Sequence, residues 1–464
     1  MQPVLIGIGV YLVVQFVVGM LVSRSIASES DYLLAGRRLG LALAAFSVYA
    51  TWFGAETIVG AAGSIYSDGL AGGSADPFGY AVCLVVLGVF IAAPLWRRQY
   101  TTLGDMFRER YSVGVERLAV LLMVPTSVLW AAAQIRAFGQ VVSASSSNIE
   151  VEIAIAAAAF LVIVYTMVGG LLADVVTDFI QGIAIIIGLL VLIVVVANAN
   201  GGFAELPGLI DPQRFALFST EHATPLEIVE AWAVPICGSL LAAELLSRIL
   251  GCNSAATARN ATLLGAGIYL VVGLIPVAIG LAGPVLVPGL EEPEQVVVML
   301  AQRHLSTFLY ILFAGAVISA ILSTVNSCLL AAAGLVSHNL VVPLRPAIDE
   351  RGKVLTARIG VVVFGIAAYA LALGAEGIYE LVATASAFGS AGIFVVGLFG
   401  LFSRVGGAPS AYAALVAGVV VWAGGEYWFE WSTPYVAALA AALASYLAAA
   451  ALVPRPAVAP RAAP

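Results

Sequence analysis

The sequence predicts an all-α integral membrane protein of thirteen transmembrane helices, and three observations carry that reading. The 464-residue chain is 62% hydrophobic and 10% charged, where a soluble domain would be about 45–50% apolar and about 25% charged. Apolar stretches of about 17 to 25 residues, enough to cross a hydrocarbon core of about 30 Å as a helix, recur near 3–23, 41–66, 77–96, 116–144, 151–173, 177–198, 227–249, 262–287, 306–338, 355–374, 379–402, 409–425 and 434–453. With the N-terminus outside, 17 of the 20 Lys and Arg fall in inner segments, Arg248 among them. Arg214 and Arg303 fall outside and Arg136 within a span, the bias expected when cationic loops stay in the cytoplasm.

Taken in order, residues 4–22 are apolar for a full span with no basic residue before them, so they read as a retained helix rather than a cleaved leader. Residues 1–40 make this first helix and a cytoplasmic loop. Residues 41–205 and 206–405 make two five-helix repeats, and 406–464 make two peripheral helices and a cytoplasmic tail. The tail of Pro, Ala and two Arg after Leu452 is expected to lack order, with no soluble domain appended.

The repeats are read from two interruptions. Backbone leaves the helix at membrane depth only where it is buried in protein or lines a cavity. In the second span Gly54, Glu56 and the hydroxyls of Ser47, Thr51 and Thr57 interrupt an otherwise apolar helix; five spans later Pro235 and Gly238 do so at similar depth. Five steps reverse the orientation in the membrane, the signature of inverted repeats (spans 2–6 and 7–11) whose broken first helices meet at the midplane. A plain kink is the simpler alternative for either break taken singly. In the ninth span Ala320, Ser323, Thr324 and Ser327 share one helical face. Such a stripe either joins helices or, with carbonyls of an unwound segment, supplies the oxygens a small hard cation takes.

Other classes are set aside. A net charge of −7 without a basic cluster excludes a general nucleic-acid binder. Cys83, Cys237, Cys252 and Cys328 form no CxxC pair and, with three scattered histidines, offer no zinc spacing; Cys83, Cys237 and Cys328 read as packing residues. No HExxH or GxSxG motif is present, so the chain is expected not to be an enzyme.

Residues 50–60, Gly169-Gly170-Leu171 leading to Thr177-Asp178-Phe179-Ile180-Gln181, and residues 319–330, set in the thirteen-span plan, together resemble the sodium/solute symporter family. Its members include the bacterial sodium/galactose, sodium/proline and sodium/sialic acid carriers. The resemblance covers essentially the whole chain. It implies the leucine-transporter fold, a 5+5 inverted-repeat core with one extra helix before and two after. It implies sodium-coupled import of a small organic solute by alternating access. The protein is then expected in the cell inner membrane, C-terminus cytoplasmic, with lipid, solute and Na+ as its partners, no nucleic acid, and a monomeric or weakly homo-oligomeric state. Proton coupling through Glu56 or Asp178, and a transporter-like sensor module, are the alternatives.

Carried over residue by residue, the resemblance implies a sodium site made by the backbone carbonyls of Ala50, Phe53 and Ala320 and the hydroxyls of Ser323 and Thr324. Some members hold a second sodium near an acidic residue that is Asp178 here, with side chains matching Ser323, Asn326 and Ser327. Asn326 stands where the family often has Ser or Asp, and an amide carries no charge. Asp178 is therefore either a second-site ligand or a structural group bonded to neighbouring hydroxyls.

Solute is expected beside the first break, against Trp52, Glu56, Thr57, Arg136 and Trp232, with Gln134 and Glu244 weaker candidates. An arginine at the centre of an isolated membrane helix costs about 2.5 kcal/mol or more, which makes Arg136 a functional candidate by default. Its planar fork suits a carboxylate, so an amino acid, a monocarboxylate or a sugar acid fits. Three roles stay open for Arg136: gripping solute, pairing permanently with Glu56, or snorkelling to the outer interface.

Overall fold

The computed structural model describes residues 26–144, 150–218, 223–375 and 378–452, with seven positions before residue 26. The first expected span, 3–23, lies largely outside the described residues, as does the tail after Leu452.

The described chain is helical. In order, α1 is Glu29–Leu34, α2 Leu41–Trp52, α3 Ala61–Asp68, α4 Tyr80–Val86, α5 Ala92–Arg97, α6 Leu103–Arg110, α7 Val113–Ala144, α8 Val151–Ala199 and α9 Pro225–Ala233. There follow α10 Ala243–Leu250, α11 Ala255–Leu286, α12 Val296–His304, α13 Thr307–Val336, α14 Glu350–Gly374, α15 Ile378–Ala387, α16 Ser390–Phe402, α17 Ala408–Tyr427 and α18 Pro434–Leu452. Among the described residues nine helices are long and apolar enough to cross a membrane. A bent pair, Pro225–Gly238 with Ala243–Leu250, makes a tenth.

The 49-residue α8 covers the expected spans 151–173 and 177–198. At about 1.5 Å per residue it would exceed two hydrocarbon cores if straight. It is not straight. Gly170 sits at φ 60, ψ −174, a conformation only glycine enters without strain, and a Cβ there would meet Tyr32. The Tyr165 hydroxyl consequently lies 2.7 Å from the Thr177 hydroxyl, although twelve residues of unbroken helix would separate them by about 18 Å.

Helix α13 forms the centre. Almost every side chain from Phe313 to Leu335 is buried, and it packs against both α7 and α8, with α2 and α10 also in contact. The connecting segments between α1 and α2 and after α10 meet in an isolated bridge, Leu39 to Cys252, with Leu39 N–H on the Gly251 carbonyl (3.1 Å) and Asn253 N–H on the Leu39 carbonyl (3.0 Å). Arg37 donates to the Leu250, Gln99 and Tyr100 carbonyls, and the Trp96 indole N–H to the Cys252 carbonyl at 2.7 Å. The start of the first broken-helix region and the end of the second are thus tied together at one end of the molecule.

At the same end α6 opens on a capping box, Thr102 with Asp105. Burial acts to raise the Asp105 carboxyl, but the His338 side chain and the Thr102 and Thr101 N–H groups outweigh it and hold the carboxyl below its ordinary value. A carboxyl held low in the folded chain adds stability above its unfolded pKa and loses it as pH falls through the folded one. Asp105→Asn is accordingly expected to cost about 1 kcal/mol, the usual worth of a helix cap, at neutral pH. The difference from wild type should shrink in acid, as thermal melts of detergent-solubilised protein at several pH values would record.

Candidate functional site

The first break falls where expected. Phe53 N–H makes the last helical rung of α2, to the Tyr49 carbonyl at 3.0 Å, and Phe53 turns out of the helix at φ −91, ψ 68. The carbonyls of Ala50 and Phe53 lie beyond that rung, among those a helix end leaves without an internal partner. Ala55 N–H donates to Gln134 Oε1 at 2.9 Å, and Gln134 Nε2 donates to Glu56 Oε2. A Cβ on Gly54 would lie 2.6 Å from Glu56 Oε2, 2.7 Å from Gln134 Oε1 and 3.0 Å from Thr324 Oγ1. Oxygens from α7, α13 and the π turn Glu56–Gly60 therefore converge on one glycine.

Thr324 Oγ1 also donates to the Ala320 carbonyl at 3.2 Å, so these two expected ion ligands adjoin the break together. Ser323, one residue earlier and about 100° around the helix, points elsewhere: its hydroxyl donates to Asp178 Oδ1. Ser47 donates to Asp178 Oδ2 at 2.6 Å. Asp178 thus has the hydroxyl neighbours that its structural role requires, one of them an expected sodium ligand.

The expected grouping of Asp178 with Asn326 and Ser327 is not what forms. Asn326 Nδ2 and Ser327 Oγ both donate to Asp174, one turn before Asp178. Asp174 also binds Arg248 in a wholly buried ion pair. The reason is register: Ser323 and Ser327 are a turn apart on α13, as Asp178 and Asp174 are on α8, so the two stripes pair in antiparallel fashion. Arg248, counted above among the inner-loop cations, is instead fully buried. Its place inside the expected span 227–249 was the signal that could have found it.

The second break lies slightly later than Pro235 and Gly238, which sit in a π turn, Val234–Gly238; the chain leaves the helix at 240–242 and resumes at α10, the two parts bent by 43°.

On α7, Ser127, Trp130 and Gln134 form one stripe by three- and four-residue spacing. Trp130 faces Tyr80, ring centroids 6.0 Å apart, and Tyr80 faces Trp52 at 5.4 Å. Ser127 donates to Glu244 at 3.3 Å, beside a cleft also lined by Cys237, Gly238, Phe388 and Ser390. Glu56 and Glu244 are both buried, and among the described residues Glu56 Oε1 has no hydrogen-bond partner. Tyr80, Trp130 and Asp76 were not singled out from sequence, since rings and a lone acid in apolar helices carry no periodic mark.

Other expected solute residues are placed differently. The Thr57 hydroxyl is taken up by Asp76 (2.8 Å), Tyr269 (3.0 Å) and the Trp52 carbonyl (3.2 Å). Trp232 stacks on Phe218 at 5.5 Å. Arg136 does not pair with Glu56: two residues beyond Gln134 it faces the other side of α7, donates to the Ala372 carbonyl at 3.2 Å, and lines a cavity of about 580 Å³ with Gln140, Glu152, Glu292, Gln295 and Gln302.

A model of the sodium:solute symporter family matches residues 32–418. The high-affinity choline transporter 1 of Drosophila melanogaster is 28% identical over 76% of this chain and 59% of its own length; the mouse high affinity choline transporter 1 is 30% identical over 75% and 63%. The chain thus spans about three-fifths of the length of these relatives. The sodium/proline symporter of Staphylococcus aureus is 27% identical over 92% of this chain and 86% of its own. Among solved structures, a substrate-bound, outward-open Na+-coupled sialic acid symporter superposes with a TM-score of 0.85 at 16% identity, covering 98% of both chains. Mhp1, a nucleobase-cation-symport-1 family transporter in a closed conformation, gives 0.63 at 16% identity, covering 92% of this chain and 94% of its own. These likenesses show the fold.

Proposed function

Because this chain belongs to the sodium:solute symporter family, we propose that it is a sodium-coupled symporter importing a small amine-bearing solute by alternating access. The observation that carries the reading is the convergence of Gln134, Glu56 and Thr324 on the unwound Gly54. Sodium is held by the Ala50, Phe53 and Ala320 carbonyls with Thr324 and Ser323, bridging α2 to α13; this preorganises the adjoining cleft for solute, and release of the ion inward lets solute follow. One ion crossing about 100 mV releases about 2.3 kcal/mol and a tenfold gradient adds about 1.4, enough for a solute gradient of several hundredfold.

The remaining architecture is read the same way: thirteen spans with the N-terminus outside and the C-terminus in the cytoplasm of a cell membrane, residues 41–205 and 206–405 as inverted repeats, and the Leu39–Cys252 bridge at the inner face.

The solute class is read from the side chains gathered around the break. A carboxylate-bearing solute was expected because of Arg136, which faces α14 and lies on the other side of α7 from Gln134. What faces the break is an aromatic trio, Trp52, Tyr80 and Trp130, and two buried acids, Glu56 and Glu244. Ring faces and carboxylates attract an ammonium group, most strongly where water is excluded. Choline and proline, after which the relatives are named, both have such a nitrogen. A thermal-shift comparison of purified protein with choline, proline and sialic acid, each in sodium or potassium, tests the reading. A ligand at about 100 times its Kd adds about 2.7 kcal/mol of stability, so an amine should raise the melting temperature in sodium and not in potassium. Stabilisation by sialic acid alone, or equal stabilisation in both salts, would overturn it.

A further inference from the structure

The Arg248 guanidinium has the environment of a bound metal ion. Its side chain is wholly buried, and oxygens from three elements surround it. Asp174 Oδ2 and Ser327 Oγ accept from Nη2. The Glu244 carbonyl and Ser247 Oγ accept from Nη1, each at 3.0 Å. Asp178 Oδ2 stands 3.7 Å away. Asn326 completes the enclosure by donating to the other Asp174 oxygen. These are the residues, shifted by one turn of α8, to which the family resemblance gives a second sodium ion.

Charge gives the arrangement its meaning. Asp174 and Asp178 place two carboxylates one turn apart in a region closed to water, and an uncompensated buried charge costs several kcal/mol. Arg248 brings one positive charge and donates directly to Asp174, while Asp178 stands 3.7 Å away. Asp178 is left with two hydroxyl donors, Ser47 and Ser323, and Ser323 is one of the ligands of the sodium site proposed above, reached from the side of α13 that faces Asp178. A single sodium held by Ser323 and Thr324 would sit next to Asp178 and balance the second carboxylate. Two carboxylates then meet two cations, one of them covalently part of the chain. An arginine suits the fixed role: its planar fork engages several oxygens at once and it does not lose its proton.

We propose that Arg248 is a tethered cation standing where a second sodium ion would bind, so that this protein couples transport to one sodium ion. The proposal rests on the sodium-symport reading above. Equilibrium binding of 22Na+ to the purified full chain, with no solute present, tests it. Wild type should saturate at one ion per chain with a Hill coefficient near one. Arg248→Ala should saturate at two ions, and added guanidinium chloride should displace one of them.

Because that variant leaves Asp174 without its partner, a second one, Arg248→Gln combined with Asp174→Asn, removes both charges together and should still bind one ion. Two ions in wild type overturn the proposal while leaving sodium symport intact. A folded Arg248→Ala protein that binds one ion, unaffected by guanidinium, overturns it as well. Wild type that binds no sodium overturns the symport reading and this inference with it.

Discussion

Gly54→Ala is expected to reduce sodium-driven uptake by about 10- to 100-fold while the protein folds normally. The new methyl would arrive 2.6 Å from Glu56 Oε2, 2.7 Å from Gln134 Oε1 and 3.0 Å from Thr324 Oγ1. All three are side-chain atoms that can swing aside, so the backbone is spared. They are also the oxygens that define the break, and moving them is moving the site. Overpacking of this kind costs about 1–3 kcal/mol, and about 1.4 kcal/mol is tenfold in an equilibrium. Gly60→Ala supplies the contrast: that glycine has open space where a Cβ would go and ordinary helical angles, so uptake should stay within about twofold, as expected of a site free of packing constraints. Uptake into proteoliposomes, with circular dichroism to monitor folding, distinguishes the two; a fully active Gly54→Ala protein would remove the break from the transport site.

The second large effect is expected on sodium itself. Thr324→Ala removes an oxygen that faces Gly54 and adjoins the Ala320 carbonyl. Interactions of a neutral donor or acceptor with a charged partner are worth about 1.5–3 kcal/mol, which corresponds to a rise of about tenfold or more in the sodium concentration for half-maximal binding. Thr324→Ser keeps the oxygen and should restore most of the affinity. Ser323→Ala should weaken sodium binding by a comparable factor, and it additionally strips Asp178 of one of its two hydroxyl donors. Sodium titrations that are identical for wild type and both alanine variants would exclude these residues from the ion site.

How much could be read in advance differs from residue to residue. The break at Gly54 was legible because a glycine, an acid and hydroxyls in an apolar run violate the composition of a membrane helix. Gly170 stands in the sequence only as one residue of a Gly-Gly-Leu motif, yet its positive-φ turn is what folds α8 back on itself. Asp174 could have been noticed as the residue one turn before Asp178, but nothing in one dimension says which of two acids a distant asparagine will face. Arg136 misled for a related reason: an arginine inside a span advertises function, while the face of α7 on which it lies is set by the helices packed around it.

Sequence alone determined that this chain lives in lipid, that its helices are many and apolar, and where the first of them must break, because each of these follows from local composition and from the cost of unsatisfied backbone in hydrocarbon. The tertiary structure alone decided which polar groups meet: Thr324 and Gln134 at Gly54, Ser323 at Asp178, and Arg248 with Asp174. Those partnerships depend on the rotation and register of helices far apart in the chain. A shift of one residue turns a side chain by about 100°, so lining up the correct residue types is not enough to say which of them touch.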